Sequence, residues 1–180
     1  TASNPSNLTG VTLSGSTSIP AQTIVNSGLT SGTVTYTATA TINSCTGPSS
    51  MYTIEVYPLP VLSINLTEDT ICSNTAVNAQ LTSNILNTSF TWSVSPNVSV
   101  SGMSNGSGST INQVLTNSSP QLQSLVYSII PTSVGPTAAG CSSNPSNFTV
   151  NVNPVPGVSF SVPNQTICSG TSTSAVLLAV

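Results

Sequence analysis

Four cysteines, Cys45, Cys72, Cys141 and Cys168, and three acids, Glu55, Glu68 and Asp69, are the side chains of this chain with chemistry beyond hydrogen bonding to offer. Lys, Arg and His are absent throughout. A Ser, Thr or Cys nucleophile needs a neighbouring base, and without His or Lys the ordinary ones are missing. Glu68 and Asp69 are adjacent, so on a strand they point to opposite faces and cannot act as a facing carboxylate pair. A calcium site wants more oxygen ligands than these two supply, so a solvated turn is the plainer reading. The cysteines have neither zinc-site spacing nor a His partner. The expectation is therefore no catalytic residue, no metal, no cofactor and no enzyme. What remains for the cysteines is oxidation to cystine, which suits an oxidising, extracellular compartment.

The charge balance narrows the partners. With no basic residue and a formal net charge of −3, the chain has no patch to neutralise phosphate, which argues against nucleic acid. Polybasic attraction to an anionic membrane surface is excluded likewise. No apolar run approaches the ~20 residues of a membrane-spanning helix, and no signal-peptide pattern opens the chain. Thr1 opens in mid-repeat, so the chain is expected to be part of a longer precursor. Val, Ile and Thr are abundant and favour strands, which reads as folded and all-β rather than disordered.

The cysteines are positioned by a repeat. Pro58, Pro60, Ser63, Thr70, Ile71, Cys72, Ser73 and Thr75 recur 96 positions on as Pro154, Pro156, Ser159, Thr166, Ile167, Cys168, Ser169 and Thr171. Cys45, Thr53 and Val56 meet Cys141, Thr149 and Val152 at the same offset, so the two cysteine types occur once per repeat. Nearer the N-terminus the offset is 91, matching Pro5 with Pro96, Gln22 with Gln113, Asn26 with Asn117 and Tyr36 with Tyr127. The difference places an insertion near Pro131–Pro136, a stretch suited to a surface loop.

Period-2 alternation supplies the strands: residues 33–42, 51–57 and 88–94, the last placing Phe90, Trp92 and Val94 on one face. The copy from 61 to 156 reads as short strands at roughly 61–65, 77–83, 88–94, 97–101, 111–116, 124–131 and 147–153, a β-sandwich with Trp92 as its expected core aromatic. The organisation predicted is an incomplete sandwich over 1–60 lacking its first strands, a complete one over 61–156, and the first two strands of a following repeat over 157–180. The Pro-x-Pro segments are stiff junctions.

The succession of Pro-x-Pro, Thr-Ile-Cys-Ser, Phe-x-Trp, Tyr and a late Cys resembles the PKD-like, immunoglobulin-like repeats of large secreted or cell-surface proteins of Bacteroidota-type bacteria. The resemblance spans the chain, and Ile-Cys-Ser is its most specific part. Asn74 stands where many members have glycine, and Asn also tolerates left-handed turns. The resemblance implies a tandem immunoglobulin-like sandwich acting as a stalk or adhesin module and brings no catalytic residue.

The incomplete ends imply a partner. At ~3.3 Å per residue the segment after Pro156 is too short to return past a full sandwich and still pair with the first block. Two forms of head-to-tail continuation follow: one long covalent array, or C-terminal strands of one subunit completing the N-terminal half-sandwich of the next. The strand Ala175, Val176, Leu177, Leu178, Ala179, Val180 is the expected assembly element, since an apolar edge left open is a liability. Cys72 with Cys141 is then the simplest cystine within the complete copy, and Cys168 pairs with Cys45 of a neighbour. The loops bearing the two types sit at opposite ends of a simple sandwich, so the alternative is a cystine stapling consecutive repeats.

Covalent glycans are the other expected partner. Sequons occur at Asn7, Asn65, Asn87, Asn97, Asn105, Asn117, Asn147 and Asn164. Thr70 sits in Asp-Thr-Ile, similar to a short O-glycosylation signal of Bacteroidota-type secreted proteins. All of these are equally ordinary turn chemistry. The function expected is an extracellular filament, stalk or adhesin shaft. The alternative is a carbohydrate- or surface-binding module using aromatics such as Tyr57 and Tyr127, although Tyr127 lies on an alternating strand and reads as core.

Overall fold

The computed structural model describes residues 1–133 and 140–179, and every regular element among them is a β-strand. Val134, Gly135 and Pro136 of the expected insertion, and Val180 of the expected assembly strand, lie outside the described residues. The chain condenses into two compact units, Thr1–Ser63 with Leu81–Thr91 and Ile130–Ser146, and Ile64–Gln80 with Trp92–Ile129 and Asn147–Val180.

In the first unit, β1 (Ala2–Ser3), β2 (Leu8–Thr9) and β3 (Val25–Asn26) precede a long hairpin, β4 (Gly32–Ile42) and β5 (Cys45–Val56). Ile42 lies opposite Cys45 across a turn at Asn43 and Ser44, whose φ values are 48° and 66°. That mirror-image turn matches the right-handed twist of its strands, and Asn is suited to it. β1, β4 and β5 form one sheet, and β2 and β3 another. Leu8, Val34 and Tyr36 are buried between them, with Ala2, Val11, Ile24, Ile54 and Val56 packed around. Asn26 Nδ2 ties the small sheet to the large one by donating to the Val56 carbonyl at 2.7 Å.

The strands of the second copy are β6 (Leu62–Leu66), β7 (Thr70–Cys72), β8 (Thr75–Ser83), β9 (Thr88–Val94), β10 (Val100–Ser101), β11 (Gly106–Ser107), β12 (Thr110–Asn117), β13 (Gln123–Ser133), β14 (Cys141–Ser142) and β15 (Ser146–Asn153). They make two sheets, in the orders β10-β12-β8-β6 and β11-β9-β13-β15-β7, with β14 on β13. In the second unit the alternating residues Val77, Ala79, Ile111, Leu115, Leu125, Tyr127, Ile129, Val150 and Val152 are buried, as period-2 strands with one apolar face require. The Tyr127 hydroxyl donates to Gln113 Oε1 at 2.9 Å, and Asn117 Nδ2 donates to the Val152 carbonyl at 2.8 Å, each reaching from one sheet to the other. This is a β-sandwich.

Three short strands, β7, β11 and β14, are additions to the expected set, and the expected 97–101 strand contracts to Val100–Ser101. Trp92 is a correction. It is only half-buried, its indole covers Gly106 and its Nε1 donates to the Ser104 carbonyl, while the central aromatic is the fully buried Tyr127, stacked on Phe148 at 5.0 Å.

The first block repeats this pattern in detail. Leu8 pairs with Asn26 as Val100 pairs with Asn117, and Gln22 bonds the Tyr36 hydroxyl as Gln113 bonds that of Tyr127. Gly10 and Gly102 have φ of +81° and +87°, and a Cβ would stand 2.1 Å from the Thr23 carbonyl oxygen and 1.9 Å from that of Val114. Only glycine fits. Gly102→Ala is expected to cost at least ~2 kcal/mol, from left-handed strain plus backbone displacement. The urea midpoint should fall with little change in slope. Gly108→Ala is the control: its φ is +128°, but no atom lies within 4 Å of the added carbon, so it should lose less.

Candidate functional site

The residues after the second Pro-x-Pro form a two-stranded ribbon of β16 (Val158–Phe160) and β17 (Leu177–Ala179), with Phe160 opposite Leu177 and Ser159 opposite Leu178. Val158, Phe160, Leu177 and Leu178 are all exposed. Leu177 is 65% exposed, whereas its repeat counterpart Leu81 is 1% exposed. Ile167 is 45% exposed, against 4% for Ile71. Ala175 is exposed where Ala79 is fully buried, and Val176 and Leu178 are exposed as well.

The first block shows the complementary deficiency. Ile54 and Val56 are only half-buried where Val150 and Val152 are fully buried. Ile19, Pro20, Ile24, Tyr52, Ile54 and Val56 line an open groove of about 610 Å³. In the sheets of the complete copy, β8 pairs with β12 and β7 runs parallel to β15. The first block has counterparts of β12 and β15 in residues 19–26 and in β5, and none of β6, β7 or β8.

The aromatics follow the same logic. Tyr52 and Phe160 are the exposed ones, both 58% exposed. Their repeat counterparts Phe148 and Ile64 are half-buried. Tyr127, considered for ligand binding, is enclosed, and burial pushes its hydroxyl pKa up to about 12. Tyr57 is half-buried with its hydroxyl buried and unpartnered. Burial, followed by Glu55 and Cys141, pushes its pKa up.

The four cysteines are unbonded in the structure. Cys45 is exposed at the end of the β4–β5 hairpin, and Cys168 is exposed. Cys141 is half-buried opposite Ser133, and nearby Ser143 Oγ donates to the carbonyl of Pro60 in the first junction. Cys72 is exposed opposite Asn153, the residue before the second junction.

Among the sequons, Asn117 is corrected. It is 4% exposed and its Nδ2 donates to both Gln121 and Val152 carbonyls, which leaves no room for a sugar. Asn7 and Asn97 are half-buried, their amides donating to Asn26 and Gln123. Asn65, Asn87, Asn105, Asn147, Asn164 and Thr70 are exposed. Glu68 and Asp69 are exposed, with Thr70 Oγ1 donating to Asp69 Oδ1. Among the described residues no three metal-ligating side chains converge.

A family model described as a PKD-like domain matches residues 1–60 and 69–156. No curated protein matches the chain closely enough to count as a relative. The matched stretches are the first block and nearly all of the second copy, in which the repeated sandwich pattern lies. The chain belongs to the PKD-like domain family.

Proposed function

We propose that this chain is a structural module of an extracellular filament, stalk or adhesin shaft. In this reading residues 157–180 of one copy complete the half-sandwich of residues 1–60 in the next. PKD-like modules typically occur in extracellular or surface proteins and are generally non-catalytic, which fits a chain without His, Lys or Arg. One observation carries the reading: the C-terminal ribbon exposes the residues whose counterparts are core, and the N-terminal block lacks those same strands.

The repeat supports one register. Thr110 lies opposite Gln80 and Leu115 opposite Thr75, so the transposed pairs are Ile19 with Val176 and Ile24 with Thr171. Val152 lies opposite Ile71 in parallel, which transposes to Val56 with Ile167. Both are strand additions to open edges, with main-chain bonds giving affinity and the buried side chains fixing the register. A contact between different ends of the module propagates as a filament instead of closing.

Electron cryomicroscopy of the native material tests this. The expected density has Ile167 beside Val56 and Val176 beside Ile19 of the adjoining copy. A peptide running continuously from Val180 into a further repeat would make the shaft one covalent array. Isolated monomers would overturn the shaft and favour the carbohydrate- or surface-binding alternative.

A further inference from the structure

The two cysteine types are distributed by junction. Cys141 stands where the first Pro-x-Pro enters the complete copy: two residues on, Ser143 Oγ donates to the Pro60 carbonyl. Cys72 stands where the second Pro-x-Pro leaves it, opposite Asn153, with Ser73 N donating to the Asn153 carbonyl at 3.0 Å. Each junction is thus flanked by an exit-type cysteine of the repeat before it and an entry-type cysteine of the repeat after it. Cys168 is exit-type by its match to Cys72, and Cys45 is entry-type by its match to Cys141.

Tyr57 brings the argument to one point. It is the repeat counterpart of Asn153, and Asn153 pairs with Cys72. When the β7–β15 register is transposed to the neighbour's strand, Cys168 of that copy comes opposite Tyr57, three residues before Pro60, whose carbonyl accepts from Ser143, two residues after Cys141.

We infer that the thiols join across junctions and not within a sandwich: Cys141 with Cys168 of the preceding copy, and Cys72 with Cys45 of the following copy. The inference rests on the head-to-tail reading above. The occupant of each site is a second copy of this chain, and each pair of adjacent copies is held by two cystines. In each bond two thiols lose two protons and two electrons to a disulfide donor, by thiol–disulfide exchange, and the donor leaves as a dithiol. Such bonds turn a shaft held by strand pairing into a covalent one, and they resist tension at the junctions.

Peptide mapping of non-reduced assembled material tests the pairing. Pepsin is the suitable protease, since the chain has no Lys or Arg for trypsin. Linked peptides containing Cys72 with Cys45, and Cys141 with Cys168, are expected. Peptides joining Cys72 with Cys141, or four thiols that alkylate without reduction, overturn the inference. The double variant Cys141→Ser with Cys168→Ser separates the arrangements further. Junction pairing leaves Cys72 and Cys45 able to link copies, so this variant still gives a ladder on a non-reducing gel that collapses on reduction. Pairing within sandwiches leaves both cysteines without partners, and the ladder is lost. Filaments that persist without cross-junction bonds sink the cystines and spare the shaft. Monomers with cystines internal to one chain sink both.

Discussion

Ile167→Asp is expected to abolish the head-to-tail assembly proposed above while leaving the individual chain folded. In the complete copy the equivalent Ile71 is buried on β7 against the edge of β15, and in the proposed register Ile167 would fill that place against Val56 of the next copy. Losing the burial of one such side chain costs ~2–3 kcal/mol. Forcing a carboxylate into the same apolar site adds several kcal/mol more, and the chain has no Lys, Arg or His side chain to pair with it. A loss of at least ~4 kcal/mol raises the dissociation constant about 1,000-fold, enough to hold the chain monomeric at micromolar concentration. In the free chain Ile167 is 45% exposed, so the substitution removes little from the fold and the circular dichroism spectrum should be unchanged. Leu86→Asp, at a site 87% exposed in the first unit, is the matched control and should polymerise normally. Sedimentation velocity reads both. An Ile167→Asp chain that polymerises as readily as the control would remove the ribbon from the assembly.

Much of this was legible in the sequence because two periodicities were written over each other. Alternation marked the long strands, since a strand with one buried face must place Leu125, Tyr127 and Ile129 on the same side. The repeat then gave the organisation that alternation cannot give, namely which strands of the first block have no counterpart. The losses have physical causes. β7 spans three residues, too few to show a period, and its parallel pairing with β15 is a long-range choice that no local pattern encodes. Residues 43–50, with Gly47 and Pro48, lie outside the expected strands 33–42 and 51–57, yet Cys45 onward continues β5 in an exposed two-stranded ribbon, where a proline's missing donor costs little at an edge. Trp92 looked like the core aromatic because large rings are usually buried. Its strand does turn it towards Phe90's face, but near the end of that strand it closes over Gly106 instead. The cysteines were found by repeat spacing, but their relation to the junctions needed the register of β7 on β15 and the Ser143–Pro60 bond.

Tyr127 is where the complete sandwich is most easily broken. It is the largest fully buried side chain, stacked on Phe148 at an interplanar angle of 7° and hydrogen-bonded to Gln113 of the facing sheet. Tyr127→Ala leaves a ring-sized cavity and should cost ~4 kcal/mol. A domain has only ~5–15 kcal/mol to lose, so the variant should melt many degrees lower or fail to fold at all. Tyr127→Phe keeps the ring and loses one hydrogen bond, a cost of ~1 kcal/mol that leaves the variant foldable and informative. Its signature is in the alkaline limb. Burial raises the Tyr127 pKa from 10.0 to about 12, so above pH 10 the unfolded chain ionises this group while the folded chain keeps it protonated. Unfolding then releases a proton, and stability that is fully present below pH 10 drains away as pH rises towards 12. Tyr57, also shifted upward, adds a loss of the same sign. The wild-type urea midpoint should therefore fall between pH 10 and 12, and Tyr127→Phe should fall less steeply over that interval despite starting lower. Parallel slopes in the two proteins would mean that Tyr127 is hydrated in the folded state, and the large penalty expected for Tyr127→Ala would fall with it.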